Sequence, residues 1–158
     1  MSGRVLPRFV VQLHDATRLH YDLRLQVGDV MRSWAVPRGP SLDPAARRLA
    51  VQVEDHSLAS GEFEGVHEGH ARGTGAVIIW DEGVIETLRD SGDHISFVLR
   101  GHKLNGRFGL THTGGKQWVL VKADDDEAVR GSDIVAEQPR SVRSGRTWQD
   151  LARRGYSR

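Results

Sequence analysis

The chain has 158 residues, a formal net charge of +1 at pH 7 and no cysteine. This length suffices for one domain with a buried core, and the lack of cysteine excludes disulfides and thiolate zinc sites. No apolar run approaches the roughly 20 residues of a membrane span, and no signal peptide opens the sequence, so we expect a cytoplasmic protein without a membrane partner.

Charge is unevenly distributed along the chain. Residues 1–58 carry eight Arg and six acidic residues, residues 59–137 carry eight basic and fourteen acidic residues, and residues 138–158 carry six Arg and one acidic residue. Of the 22 basic residues, 19 are Arg, whose planar guanidinium suits phosphate. We place a β-barrel domain at 1–137 and a basic C-terminal tail with a short helix at 138–158. The small net charge argues against sequence-independent binding along an extended stretch of nucleic acid, but it allows a local phosphate-binding pocket.

Short segments that alternate between apolar and polar residues dominate the sequence, and this period of two is typical of half-buried strands. The predicted strands are Arg8–Leu13, His20–Val27, Val30–Val36, Leu49–Glu54, Ala76–Trp80, Val84–Leu88, His94–Leu99, Arg107–Thr111 and Gln117–Lys122. Glycine-containing turns separate them, at Gly28-Asp29, Asp81–Gly83, Ser91–Asp93 and Thr113–Gly115. Together these features predict a mainly β fold, a small closed or nearly closed β-barrel with flanking hairpins and short helices.

Helix is scarce in this prediction. Asp43–Arg48 is expected to form one turn, and Thr147–Arg154 a short C-terminal helix with apolar residues on one side. Ala123–Arg140 is polar and acidic, which indicates a surface loop or linker.

The densest group of chemically active residues lies between His14 and Arg24. On a strand, His20, Asp22 and Arg24 project from one face, about 7 Å apart along it. Two imidazoles and a carboxylate suit Mn, Fe, Zn or Co rather than Ca, and three protein ligands leave positions open for water and substrate. Arg24 would then donate charge-assisted hydrogen bonds to an anion bound to that metal. A solvated polar face is the alternative that the pattern leaves open.

A second alternating segment begins near Arg48 and ends at His56. Both residues are candidates for anion contact or for acid–base chemistry near neutral pH. Taken singly, each is also a common kind of surface residue.

Several longer motifs occur in a characteristic order. They are Arg8–His14, His20–Leu25, Ser33–Ser41, Arg48–His56, Phe63–Val66, Leu104–Phe108, Lys116–Trp118 and Ser141–Thr147. In this order they resemble the 3′-phosphoesterase domain of bacterial DNA ligase D, from about residue 8 to about residue 154. The chain carries no ligase or polymerase motif, so we expect a stand-alone phosphoesterase or one domain of a larger ligase.

The resemblance implies a small β-barrel and manganese-dependent healing of DNA 3′ ends in non-homologous end joining. A 3′-terminal ribonucleoside is removed first, and the remaining 3′-phosphate is then hydrolysed to a 3′-hydroxyl. Carried over by position, the catalytic residues are the metal ligands His14, His20 and Asp22 and the phosphate-holding Arg24, Arg48 and His56. The implied cofactor is Mn²⁺, with Co²⁺, Zn²⁺ or another divalent transition metal as a replacement. The implied partners are DNA 3′ ends and the ligase, polymerase and Ku proteins of end joining.

Three departures from the family pattern stand out. Ser60 occupies the position of a family tyrosine, and the loop Val66–Gly73 is shorter than its counterpart and lacks the Pro and Tyr found there. Only thirteen residues precede His14, so we expect the basic and acidic N-terminal arm of the family to be absent or much reduced. One hypothesis is that His67 or His70 replaces the tyrosine in the pocket, and a polar surface loop is the simpler interpretation.

Two other functions compete with this interpretation. A catalytically weakened module that binds DNA ends or a partner would fit the missing tyrosine and arm, although such a module has no need for a three-ligand site. An iron oxygenase would use His20, Asp22 and His56 as a facial triad. That arrangement leaves His14 without a role.

Overall fold

One antiparallel sheet, closed on itself, forms the body of the computed structural model, which describes residues 5–67 and 73–156. Its strands are β1 Arg8–Asp15, β2 Leu19–Val27, β3 Val30–Val36, β4 Arg48–Ser57, β5 Gly65–Val66, β6 Ala76–Asp90, β7 His94–Gly101, β8 Asn105–Gly114 and β9 Gln117–Lys122. The strand order is β1-β2-β3-β4-β9-β8-β7-β6-β5, and β1 also pairs with β6. Eight strands therefore close into a barrel with β5 added outside β6, which confirms the predicted fold class.

The helices of the described residues are short. They are a 3-10 helix at Leu58–Glu62, α1 at Ile134–Glu137 and α2 at Trp148–Tyr156. Within this part of the chain, no helix has the length and apolar character needed to cross a membrane.

Alternation along β1 and β2 separates an apolar interior from a polar outer face. Phe9, Val11 and Leu13 of β1 lie in the core cluster, as do Leu23 and Leu25 of β2, and each of them is at most 3% exposed. The residues between them therefore point to the outside of the barrel. On this outer face the strands carry the polar residues that the sequence singles out.

The predicted hairpin loop at Asp81–Gly83 is wrong, because the chain continues through it as the single strand β6. Asp81 is fully buried, and its carboxylate accepts hydrogen bonds from the backbone N–H groups of residues 102, 103 and 104 at 2.8–3.1 Å. Gly83 pairs with Phe9 on one side and Gly101 on the other. A Cβ at Gly83 would lie 2.0 Å from the Arg100 carbonyl oxygen, so the glycine serves close strand packing rather than a turn.

Three smaller differences concern the helices and a short strand. The region 123–140 is not all surface loop, since it contains α1 and the buried Ile134. The helical turn predicted at 43–48 is not present: residues 43–46 form a hydrogen-bonded turn, with the Ala46 N–H donating to the Asp43 carbonyl, and Arg48 already begins β4. The 3-10 helix and β5 were not predicted, because both are too short for periodicity to show. The C-terminal helix is confirmed as α2.

The segment that follows α1 packs on the outside of the barrel. The Trp80 Nε1–H donates to the Gln138 carbonyl at 2.7 Å, and the Val142 N–H donates to the Ile79 carbonyl at 3.0 Å. The Arg143 guanidinium pairs with Glu82 at 2.7 Å and with Glu62 at 2.8 Å. The boundary at residue 137 stays a prediction, and these contacts attach the start of the tail firmly to β6.

We predict that Asp81→Ala lowers the free energy of unfolding by about 3 kcal/mol, because three N–H donors, two of them in buried residues, lose their acceptor. Asp81→Asn keeps one acceptor oxygen and should lose less. Urea denaturation followed by circular dichroism measures both variants against the wild type. Equal stability of Asp81→Ala and the wild type would contradict the proposed role of this carboxylate.

Candidate metal centre

The outer face of β1 and β2 brings together the polar residues near the start of the chain. In the register of the two strands, His14 pairs with His20 and Gln12 pairs with Asp22. Arg24 follows Asp22 on the same face of β2, two residues farther along. The predicted arrangement of His20, Asp22 and Arg24 on one face of a strand is therefore what the structure contains.

Three of these side chains converge on one point. One ligand atom each from His14, His20 and Asp22 lies within 4.8 Å of the other two, and the two imidazole centroids are 5.3 Å apart. The His20 Nδ1–H donates to the Arg18 carbonyl at 2.8 Å, a contact that requires a proton on Nδ1 but leaves the state of Nε2 open. When the ring is neutral, the Nε2 lone pair is the one that can bind a metal, and the backbone contact fixes the ring as it does in metal sites generally.

The protonation of the group also fits a metal. Burial lowers the pKa of His14, which favours the neutral imidazole that binds metals. The hydrogen bond between His20 and Asp22, whose Nε2 and Oδ1 atoms lie 3.3 Å apart, raises the pKa of His20. The proton shared by this pair occupies the space that a cation would take, so a metal would bind by displacing it. Two imidazoles and a carboxylate suit a divalent transition metal.

A buried guanidinium stands next to the carboxylate of this group. Arg24 is 9% exposed, and its Nε and Nη1 atoms donate to Gln12 Oε1 at 2.7 Å and to Ser33 Oγ at 2.9 Å. Its Nη2 atom lies 3.5 Å from Asp22 Oδ2. Burial lowers the pKa of Arg24, and the guanidinium nevertheless stays charged at physiological pH because Arg titrates so far above it. Arg24 is therefore a fixed positive charge beside the candidate ligands.

Gln12 links this guanidinium to the wall of the site. Its side-chain N–H groups donate to the carbonyls of Ser60 at 3.0 Å and Phe63 at 2.9 Å, while its oxygen accepts from Arg24. The Ser60 hydroxyl lies 3.0 Å from the Ser57 hydroxyl. The 3-10 helix is thus held over the outer face of the barrel by a residue of β1.

An open cavity of about 730 Å³ lies between this wall and the strands. Its lining comprises Gln12, His14, His20, Asp22, Arg24, Val53, Glu54, His56, Ser57, Ala59, Ser60, Phe63, His67 and Val77. Five of the six predicted site residues are among them. Burial, followed by the charge of Arg24, lowers the pKa of His56, which favours the neutral imidazole.

Arg48 is the predicted site residue that does not line this cavity. It begins β4 on the face that carries Ala50, which is fully buried in the barrel core. Its Nε atom is buried and has no hydrogen-bond partner among residues 5–67 and 73–156. Hydrogen bonds from the backbone N–H groups of Ala45 and Gly131 lower the pKa of Asp43, which precedes β4, and the charge of Arg48 makes a smaller contribution in the same direction. A contact between Arg48 and a phosphate stays a prediction.

Sequence reasoning missed the role of Gln12, although the signal was present. Gln12 lies two residues before His14, so it shares its face, and it faces Asp22 once His14 is paired with His20. Phe63 was also missed, since its position in the wall depends on the 3-10 helix. His67 lies in the cavity, whereas His70 lies outside the described residues.

The oxygenase alternative requires His20, Asp22 and His56 to converge on one metal. The set of converging ligands contains His14 with His20 and Asp22, and His56 is not a member of it in the part of the chain that the structure describes. Fold and site together define a β-barrel domain with a candidate metal centre beside a buried arginine, on the outer face of the barrel.

Residues 12–112 match the family model described as the DNA ligase D 3′-phosphoesterase domain. This range contains every predicted ligand as well as Arg24 and His56. The chain belongs to this family.

Curated relatives agree with the family assignment. The chain is 51% identical over 154 residues to the multifunctional non-homologous end joining protein LigD of Pseudomonas aeruginosa, which covers 90% of the chain. It is 38% identical over 139 residues to the protein of the same name from Mycolicibacterium smegmatis, covering 81% of the chain. The chain spans 18% of the length of each of these relatives.

We predict that the wild type binds Mn²⁺ and that His20→Ala lowers the affinity at least about 100-fold, since losing a ligand costs more than losing a residue that only orients a ligand by a hydrogen bond. Isothermal titration calorimetry and the electron paramagnetic resonance signal of free Mn²⁺ both measure this affinity. His102→Ala removes an exposed histidine outside the cavity and is the matched control. Equal affinity of His20→Ala and His102→Ala would rule out the centre.

Gln12→Leu should loosen the wall of the cavity. The change leaves the Arg24 Nε–H and two carbonyls without their partners, so we expect the free energy of unfolding to fall by about 2–4 kcal/mol. Hydrogen exchange of residues 58–63 should quicken at the same time. Gln117→Leu, on an exposed position of β9, provides the control for a Gln-to-Leu change. Unaltered exchange in Gln12→Leu would contradict the tethering role.

Proposed function

We propose that this chain is a metal-dependent phosphoesterase that heals DNA 3′ ends. It would remove a 3′-terminal ribonucleoside as a phosphodiesterase and then hydrolyse the 3′-phosphate as a phosphomonoesterase. The product is a 3′-hydroxyl end, which a ligase can join. Mn²⁺ is the proposed cofactor, with Co²⁺, Zn²⁺ or another divalent transition metal as a substitute.

One observation carries the proposal, namely that a three-ligand group and a buried guanidinium share one open cavity. A phosphate ester needs both features, since its oxygens carry negative charge before the reaction and more charge moves onto the leaving oxygen during it. Membership of the 3′-phosphoesterase domain family supports the same assignment.

The residues of the cavity would have three roles: metal binding, stabilisation of charge on the phosphate, and donation of a hydrogen bond or proton. His14, His20 and Asp22 would hold the metal, which when bound withdraws electron density from a phosphoryl oxygen. Arg24 would stabilise charge on the phosphate oxygens from a fixed position, because Gln12 and Ser33 already hold its guanidinium. His56 would donate a hydrogen bond or a proton to the same phosphate or to its leaving oxygen.

The cellular role follows from the relatives rather than from the cavity. The relatives are named for multifunctional non-homologous end joining, and we propose that this chain acts in the same process. Its partners would then be DNA 3′ ends, at primer–templates or duplex ends, and the ligase, polymerase and Ku proteins of that repair. The place of work would be the bacterial cytoplasm.

A binding module that keeps the fold without strong activity is the second candidate. Ser60 favours it, because a short hydroxyl already held by Ser57 lies where the family pattern has a tyrosine. The two candidates differ in turnover but not in metal binding, so an activity assay separates them.

We expect Mn²⁺-dependent conversion of a 5′-labelled primer–template with a 3′-phosphate end to a 3′-hydroxyl end. A second substrate with one 3′-terminal ribonucleotide should give the 3′-phosphate and then the 3′-hydroxyl. His20→Ala should abolish both conversions, and His102→Ala should leave them intact. Gel electrophoresis of the labelled strand resolves the three end groups.

Each outcome of this assay is informative. Conversion of one substrate alone would identify which of the two steps this chain performs. No conversion by a wild type that binds Mn²⁺ would contradict the enzyme and support the binding module. In that case Ser60→Tyr is the first variant to make, since it restores the phenol of the family pattern.

A further inference from the structure

His67 lies in the cavity between two aromatic neighbours. Its ring stacks on Phe63 with centroids 4.3 Å apart and an interplanar angle of 17°. The His14 ring meets it edge-on, with centroids 5.8 Å apart. An imidazole that touches a candidate ligand but is not itself a member of the converging group is placed to contact whatever the metal binds.

The position of His67 in the cavity complements that of Arg24. Along β2, His20 and Arg24 lie on either side of Asp22, and His14 pairs with His20. Arg24 therefore stands at one end of the ligand group, whereas His67 stands beside His14 at the other. A tetrahedral anion held between them would present one set of oxygens to the guanidinium and another to this imidazole.

The backbone fixes His67 in this place. Its N–H donates to the Gly75 carbonyl at 2.9 Å, and the Gly75 N–H donates to the Asp15 carbonyl at 2.9 Å. Gly75 has a φ of +76°, and a Cβ there would lie 2.3 Å from the His67 carbonyl oxygen. The residue is thus tied to the end of β1, next to His14, while Phe63 supports the flat side of its ring.

We propose that His67 is a substrate-contacting residue that donates a hydrogen bond to an oxygen of the phosphate bound at the metal centre. The inference rests on the proposed function, since it assigns a phosphate to this cavity. A neutral imidazole carries one N–H donor, which suffices for the contact. The ligand class is a phosphate monoester or diester at a nucleic-acid 3′ end, and inorganic phosphate, the product of the second step, is the simplest probe.

Binding measurements test this contact independently of turnover. Inorganic phosphate is titrated calorimetrically into Mn²⁺-loaded wild type, His67→Ala, His67→Gln and the control His102→Ala. We expect His67→Ala to bind phosphate about 10-fold more weakly with unchanged Mn²⁺ affinity, as the loss of one hydrogen bond to a charged group predicts. His67→Gln keeps an N–H donor and should recover most of the affinity.

Steady-state kinetics on the 3′-phosphate substrate provide the second readout. His67→Ala should raise KM about 10-fold, with a smaller effect on kcat, whereas a loss of folding would lower the active fraction and leave KM unchanged. Unchanged phosphate affinity and KM in His67→Ala would overturn the inference. A loss of Mn²⁺ affinity in this variant would also overturn it, because His67 would then be a metal ligand.

Failure of the inference differs from failure of the proposed function. If the wild type hydrolyses 3′-phosphates and His67→Ala does so equally well, the inference alone falls. If the wild type hydrolyses neither substrate while its phosphate affinity depends on His67, the proposed activity falls and the phosphate contact stands.

Discussion

The antiparallel pairing of β1 with β2 sets the geometry on which the site depends. In this register His14 faces His20 and Gln12 faces Asp22 on the outside of the barrel. A slip of one residue would turn every one of these polar groups into the core and expose the apolar set that alternates with it. The free energy gained by burying residues such as Leu23 therefore also specifies where the metal ligands meet. Core stability and ligand placement are two consequences of one pattern.

The free-energy cost of burying the Arg24 guanidinium explains why polar side chains surround it. Removing the charge of Arg24 from water is unfavourable unless its N–H groups find partners. Gln12 and Ser33 supply neutral acceptors, and Asp22 supplies the opposite charge at 3.5 Å. Because two of the three partners are neutral, the guanidinium is held in place without being fully neutralised. A phosphate entering the cavity meets a positive charge whose orientation needs no further reorganisation.

The alternation of apolar and polar residues was sufficient to predict the barrel. It also predicted the face that carries His20, Asp22 and Arg24, since these residues lie on a regular strand. It was insufficient on β4, where Met31 pairs with His56 and Ser33 pairs with Val53. Residues 31–33 of β3 thus lie opposite residues 53–56 of β4, so that three residues face four, and this bulge reverses the alternation between its two ends. Arg48 and His56, which spacing alone would put on one face, therefore point to different sides.

Local sequence also misled where tertiary contacts overrode it. Asp81–Gly83 has the composition of a turn, yet backbone donors of the next connection satisfy Asp81, and Gly83 permits two strands to approach closely. The backbone donors to Asp81 and the strand that packs against Gly83 are both distant in sequence, so no local signal could reveal these contacts. The same applies to Phe63 and His67, which enter the cavity because the segment before β6 folds back over β1.

The wall of the cavity is held from both sides, and one of the two attachments comes from beyond the residues that match the family model. On the side that faces the barrel, Gln12 donates to the 3-10 helix. On the opposite side, Arg143 pairs with Glu62 and Ser141 donates to Glu64. The Arg143–Glu62 pair is over a third exposed, so it adds little to the free energy of unfolding. Its effect is positional instead, because it fixes the outer edge of the helix that carries Ser60. The C-terminal segment is in this way part of the scaffold of the site, although none of its described residues lines the cavity.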